Sequence, residues 1–210
     1  MKEMPDFLYP KRKRMEHYFS NKPVARARKK EINYEWKGNA YSFETSSSVF
    51  SRTGIDKGTA VLIEHACLPE KGMLLDLGCG YGAVGIIIKR QYPSLDVVMS
   101  EVNERAIMLA KKNAARNGVP VDIRQGSLFE KVPESFDVIL LNPPQHAGKE
   151  LCLLMIEQSF DHLKVGGSLQ IVARHQKGGI DLSNKMESVF GNVETIGRKS
   201  GYHVYLSQKI

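Results

Sequence analysis

Three stretches of this 210-residue chain combine residue types and spacings that could do chemistry. Asp76-Leu77-Gly78-Cys79-Gly80-Tyr81-Gly82 sets a carboxylate ahead of alternating glycines. Glycines at such a turn let the backbone bend tightly and approach a ligand with no Cβ in the way. Glu101, 19 residues beyond Gly82, ends the next apolar run, where a carboxylate can accept hydrogen bonds from ribose hydroxyls. Asn142-Pro143-Pro144-Gln145 closes the fourth such run. Each has a plainer reading beside it: glycines and Asn-Pro-Pro also mark ordinary turns, and a glutamate can simply solvate a strand end. What favours the chemical reading is that all three fall at the ends of apolar runs, the edge on which open α/β sheets bind ligands.

The acid ahead of the glycines separates one cofactor class from another. A dinucleotide would bring a pyrophosphate to this turn, and a carboxylate repels it. S-adenosylmethionine (SAM) has no phosphate, only an amino acid tail and a sulfonium cation, so Asp76 suits it.

The elements that must position these residues follow from periodicity. From residue 72 the chain alternates short apolar runs with helical segments. Strands are expected at Met73–Leu75, Leu95–Ser100, Val121–Arg124, Phe136–Leu141, Ser168–Ala173, Val193–Ile196 and Tyr202–Ser207. Helices are expected at Ala83–Gln91, Asn103–Arg116 (stopped by Asn117-Gly118), about Gly148–Leu163 and Asp181–Val189. Alternation of this kind predicts a mostly parallel seven-stranded sheet with helices on both faces, a Rossmann-like α/β fold. Gly197 to Gly201 is too short for a crossover, so the last strand must run antiparallel. Upstream, Glu31–Trp36 and Ala40–Thr45 flank Lys37-Gly38-Asn39 as a hairpin, and Asp56–Cys67 reads as a helix capped by Asp56 or Thr59. Residues 1–45 are therefore expected to form a basic arm and hairpin, and 46–210 the main domain.

Charge divides the chain in the same place. The net charge is +7; residues 1–40 hold 11 Lys and Arg against 5 Asp and Glu, and the rest hold 19 against 18. The excess sits in Lys11, Arg12, Lys13 and Arg14 and in Arg26, Arg28, Lys29 and Lys30, with Tyr18 and Phe19 among the interleaved aromatics. A charge run alone is as often a solvated surface. Cations for phosphates beside flat rings for unstacked bases are what an RNA-binding arm requires. No apolar run approaches the ~20 residues that span a bilayer. Cys67, Cys79 and Cys152 are scattered, and neither they nor His17, His65, His146, His162, His175 and His203 have metal-ligand spacing. A cytoplasmic protein without a metal is expected. No Walker loop or Ser-His-Asp arrangement is evident.

Several segments, in order, resemble one family: His17-Tyr18-Phe19-Ser20, Phe43-Glu44-Thr45, Val49-Phe50-Ser51, Asp56-Lys57-Gly58-Thr59, Asp76 to Gly82, Asn142-Pro143-Pro144 with Ala147-Gly148-Lys149, and Phe190 to Glu194. Together they are similar to the "small domain" class I methyltransferases, whose bacterial members make N2-methylguanosine in ribosomal RNA and which have stand-alone archaeal relatives. The similarity runs from about residue 17 to the end. It implies a SAM pocket built from Asp76, Gly78, Gly80, Glu101 and Asn142, with Thr59 near the cofactor. It also implies that, in the Asn142-Pro143-Pro144-Gln145 motif, the Asn142 side chain and the carbonyl that follows, that of Pro143, accept hydrogen bonds from a target amine. Ser127 stands where such proteins often carry an aspartate for the adenine amino group, and a hydroxyl can serve there. Gln145 stands where amine methylators usually have an aromatic to stack on the base.

The resemblance, with the basic leader, implies SAM-dependent methyl transfer to a guanine nitrogen in structured RNA, with transfer RNA slightly favoured over ribosomal RNA. N2 is the family's atom. N7, which needs only alignment of an in-plane lone pair, is its rival because of Gln145. Two other classes stay open: a methyltransferase for a protein side-chain amide or a small metabolite, and a non-catalytic RNA-binding protein. The basic, aromatic-laced leader argues against the first. Asp76, Glu101 and Asn142, which RNA binding alone does not need, argue against the second.

Overall fold

The computed structural model describes residues 29–46, 54–144 and 148–210. A two-stranded hairpin, β1 (Lys29–Trp36) and β2 (Asn39–Ser46), leads into α1 (Lys57–His65). The main sheet and its helices follow as β3 (Gly72–Leu77), α2 (Ala83–Gln91), β4 (Leu95–Glu101), α3 (Glu104–Arg116), β5 (Asp122–Gln125) and β6 (Phe136–Leu141). The chain closes with α4 (Lys149–Asp161), β7 (Leu163–Arg174), α5 (Ile180–Phe190), β8 (Glu194–Lys199) and β9 (Tyr202–Gln208). Strand order across the seven-stranded sheet is β5-β4-β3-β6-β7-β9-β8. β9 pairs antiparallel with both β7 and β8, while β3–β4, β3–β6, β4–β5 and β6–β7 are parallel. This is the Rossmann-like architecture expected from the alternation, with its one reversed strand.

Both hairpin turns are two residues long. Lys37-Gly38 and Ser200-Gly201 all have positive φ, which the right-handed twist of paired strands favours at such turns. The first turn is thus one residue shorter than the sequence suggested, with Asn39 paired opposite Trp36. Helix starts follow local chemistry. The Asn103 side chain accepts from the N–H groups of Arg105 and Ala106 at the start of α3, and Asp56 accepts from Thr59 N at the start of α1. Gly82 opens α2 at φ 92°, and a Cβ there would come within 2.9 Å of Met99 Cε and 3.0 Å of Ile86 Cδ1. The left-handed backbone is what selects glycine here.

Two apolar layers sandwich the sheet. On one face Val61 and Leu62 of α1, Ile86, Ile87 and Ile88 of α2, and Leu109 and Ala110 of α3 pack with Leu74 and Val97. On the other, Leu151, Met155 and Ile156 of α4 and Leu182, Met186 and Phe190 of α5 pack with Leu75, Ile139 and Ile171. Burying a large apolar side chain of this kind contributes roughly 1.5–3 kcal/mol relative to exposure.

The hairpin does not stand apart in space. Ile32, Tyr41 and Phe43 belong to the first layer's core. The fully buried Asn113 of α3 accepts from Glu44 N at 2.7 Å and donates to Glu44 O at 3.0 Å, completing β2's backbone pairing on that side. Asn117 bonds both ways with Ser42 in the same manner. The sequence boundary at residue 45 thus crosses one continuous core.

Candidate active site

The sheet reverses direction of growth between β3 and β6, the switch point at which open α/β sheets leave a crevice at their carboxyl ends. β3 ends in the glycine turn and β6 in Asn142-Pro143-Pro144, so the two motifs are brought side by side.

The glycine turn is held from three directions. The N–H groups of Gly78 and Cys79 donate to Ser100 O at 2.8 and 3.0 Å. Gly80 N donates to Glu101 Oε2 at 3.0 Å, while Glu101 Oε1 accepts from Asn103 N at 2.8 Å. Asp76, one layer behind, accepts from Gly85 N at 2.9 Å and so binds the first turn of α2. Burial raises the Asp76 pKa to about 7, offset in part by the Gly85 bond and reinforced by the Glu101 charge. Burial also raises Glu101, against the lowering effect of its backbone donors. The Cys79 thiol between them is pushed well up by burial and by both carboxylates, so it is no nucleophile.

Gly78, Glu101 and Ser127 line one narrow cleft, with Leu77, Val102, Leu128, Leu151 and Met155 as its apolar walls. That composition suits a nucleoside: a carboxylate for hydroxyls, aliphatic surfaces for the faces of a purine, and a small polar side chain at one end. The residues present therefore fit SAM. Asp76 is absent from the cleft lining and binds Gly85 N in the first turn of α2.

Asn142 lies across the turn. Its Nδ2 donates to Thr59 Oγ1 at 2.9 Å and to Asp56 Oδ2 at 3.3 Å. Beyond Asn142 a second cavity of about 340 Å³ opens, lined by Pro143, Pro144, Lys149, Cys152, Arg174, Lys177 and Tyr202 among others. The Arg174 guanidinium lies 5.0 Å from the Tyr202 ring centroid, and its Nε donates to Tyr202 Oη at 3.1 Å. Tyr81, in the glycine turn, is buried, and its hydroxyl has no partner among the described residues. Desolvation and the Asp56 carboxylate raise its pKa.

Of the residues singled out in the sequence, Gly78, Glu101 and Ser127 share the cleft. Asn142, Pro143 and Pro144 share the second cavity. Thr59 contacts Asn142 rather than lining the described cleft. Gln145, Lys11, Arg12, Lys13, Arg14, Tyr18, Phe19, Arg26 and Arg28 lie outside the described residues; Lys29 and Lys30 begin β1, with Lys30 exposed. Sequence reasoning passed over Arg174, Lys177 and Tyr202. They come from the ends of β7 and β9 and the segment between β7 and α5, and only the antiparallel insertion of β9 brings Tyr202 into the cavity that Asn142 lines. Among the described residues no three His, Cys, Asp or Glu side chains converge as a metal site needs, and no helix is long and apolar enough to cross a membrane.

Fold and site together define a SAM-dependent methyltransferase of the Rossmann-like class. The methyltransferase small domain family matches residues 40–206, and the chain belongs to that family. It is 36% identical over 199 residues to the uncharacterized protein YbxB of Bacillus subtilis (strain 168), covering 93% of this chain and 99% of that one. It is 33% identical over 161 residues to the ribosomal RNA small subunit methyltransferase C of Pseudomonas entomophila (strain L48), covering 75% of this chain and 48% of that one. The chain thus spans about half the length of the ribosomal RNA methyltransferases it matches. In fold it is similar to the T. thermophilus 16S rRNA N2 methyltransferase in complex with AdoMet and guanosine, with a TM-score of 0.78 and 22% identity over 90% of this chain and 52% of that one.

Proposed function

We propose that this chain methylates a guanine nitrogen, N2, in structured RNA. One observation carries the reading: Asn142, with its Nδ2 tied to α1, lines a cavity of about 340 Å³ at the end of β6, the strand paired with β3, whose end opens into the cleft of Gly78, Glu101 and Ser127. That cavity has room for a purine, and Tyr202 offers a ring in its wall. The ribosomal RNA relatives support RNA as the substrate, and move the preference from transfer RNA to ribosomal RNA. The basic leader supplies charge for phosphates, on a chain whose place of work would be the cytoplasm.

SAM supplies an electrophilic methyl group on a sulfonium and leaves as S-adenosylhomocysteine. The chain's contribution is positional and electrostatic. Glu101 and Ser127 would hold the nucleoside end, and the glycine turn would let the tail lie against backbone. Asn142 Oδ1 and the Pro143 carbonyl would accept the two N–H groups of the guanine amine. Held so, the amine turns its lone pair toward the methyl carbon. As the N–C bond forms, positive charge grows on nitrogen and both acceptors strengthen, which lowers the barrier rather than merely binding the base. The extra proton then passes to solvent.

The test is transfer of labelled methyl from SAM to RNA, followed by digestion to nucleosides and mass spectrometry. N2-methylguanosine supports the reading. N7-methylguanosine, detectable also by borohydride–aniline cleavage, would keep the guanine and overturn the atom. A methylated protein amide or metabolite with no RNA product would overturn the substrate.

A further inference from the structure

We infer that Asp56 and Thr59, at the start of α1, are positioning residues that fix which end of the Asn142 amide faces the acceptor. This assignment rests on the role of Asn142 proposed above. An amide has two ends of nearly equal shape, one a donor and one an acceptor, and only the acceptor end can hold an amine. Something must therefore choose between them.

A carboxylate can choose, because when ionised it only accepts. Asp56 Oδ2 receives Thr59 N at 3.2 Å and Asn142 Nδ2 at 3.3 Å. Rotating the amide by half a turn would set Oδ1 against that oxygen and replace attraction with repulsion. Thr59 fixes the location. The residue is buried and its hydroxyl accepts from the same Nδ2 at 2.9 Å, so the nitrogen is seated between two oxygens of one helix turn. Gly58 makes room for this arrangement: a Cβ on it would lie 2.9 Å from Asp56 Oδ2 and 3.0 Å from Tyr202 Cε1. Asp56, Thr59 and the Tyr202 wall of the cavity are thus packed about one point. Neither Asp56 nor Thr59 need touch substrate; both act through Asn142.

The variants follow from the chemistry. Asp56→Asn keeps a good N-cap for α1 but removes the fixed polarity, since its amide can meet Asn142 either way. Thr59→Val keeps the shape and removes the hydroxyl; Thr59→Ser restores it. In the full chain, with Asn side chains ¹⁵N-labelled, the Asn142 amide signal is identified by its disappearance in Asn142→Ala. That signal should move in Asp56→Asn and Thr59→Val and return toward the parent in Thr59→Ser. With RNA as acceptor, kcat should fall roughly 10- to 100-fold in both variants, with SAM affinity within about twofold and substantial rescue by Ser. In an Asn142→Ala background Thr59→Val should cost nothing further, because the residue it positions is gone. An unmoved amide signal, a parental kcat, a parallel fall in SAM affinity, or an undiminished effect in the Asn142→Ala background each overturns the inference. If the amide signal moves as stated while no RNA is methylated, the positioning role stands and the RNA reading falls.

Discussion

Asp76 and Glu101 are two buried carboxylates bonded to Gly85 N of α2 and Gly80 N of the glycine turn, so with SAM held against that turn, as proposed, their protonation should be felt in binding. With its pKa at about 7, Asp76 in the free protein holds a proton that the unfolded chain gives up near pH 4. Across that window the folded state binds the extra proton, so stability falls as pH rises, by up to ~1.4 kcal/mol per unit from this group. A sulfonium and an ammonium nearby favour the ionised form, so SAM binding should release protons below about pH 7 and tighten as pH rises. Calorimetry in two buffers of different ionisation enthalpy measures that release. Asp76→Asn should remove most of the pH slope, and Glu101, the other raised carboxylate, accounts for any remainder. A pH-independent SAM affinity in the parent would contradict this. Asn142→Ala belongs to the same scale: it should lower turnover about 100-fold or more while SAM affinity changes little, measured as kcat against calorimetric Kd. The positions of Glu101 and Asn142 at strand ends were legible in the sequence because strand ends on one sheet edge converge by topology, whereas Ser127 was singled out only through the family resemblance. Asp56 and Thr59 were legible as helix caps, but not as partners of Asn142, because a hydrogen bond across 83 residues has no local signal.

The hairpin and α3 show what an element contributes beyond its own periodicity. Alternation identified β1 and β2, and Asn103 and Asn117-Gly118 marked both ends of α3. Nothing local said that the hairpin's second strand would dock on that helix, since an asparagine inside a helix reads as a neutral surface residue. Yet Asn113 is fully buried and also donates to Tyr81 O at 2.9 Å, tying hairpin, helix and glycine turn together. Asn113→Leu should remove three side-chain-to-backbone hydrogen bonds, to Glu44 N, Glu44 O and Tyr81 O, and cost about 3 kcal/mol, lowering Tm by roughly 6–12 °C in a thermal melt. SAM affinity should weaken as well, because the turn loses its tie. A variant as stable as the parent, with unchanged affinity, would mean that this side chain is passive. The β8–β9 hairpin was legible for the opposite reason: Gly197 to Gly201 is too short for anything but reversal.

Across the whole molecule, charge and catalysis are carried by different parts of the chain. Nearly all of the net +7 lies in the first 40 residues, while the cleft and cavity are built after residue 54. Neutralising Lys11, Arg12, Lys13 and Arg14 should therefore weaken RNA binding at every sequence and leave SAM affinity alone. For every phosphate that no longer meets a cation, the log–log salt slope should shrink by ~0.7–0.9. Filter binding across a salt series measures it, and an unchanged slope would make the run a solvated surface. The architecture was legible because strand–helix alternation constrains topology strongly. The cavity wall was not, because Arg174 and Tyr202 meet only after β9 inserts between β7 and β8. Methyl transfer to guanine N2 in RNA can be put to a single trial. The purified chain is incubated with methyl-labelled SAM and unmodified ribosomal and transfer RNA, and the nucleosides are then resolved by mass spectrometry. Labelled N2-methylguanosine that disappears in Asn142→Ala is the expected product. Label in a pyrimidine, in a ribose or only outside RNA would refute the assignment.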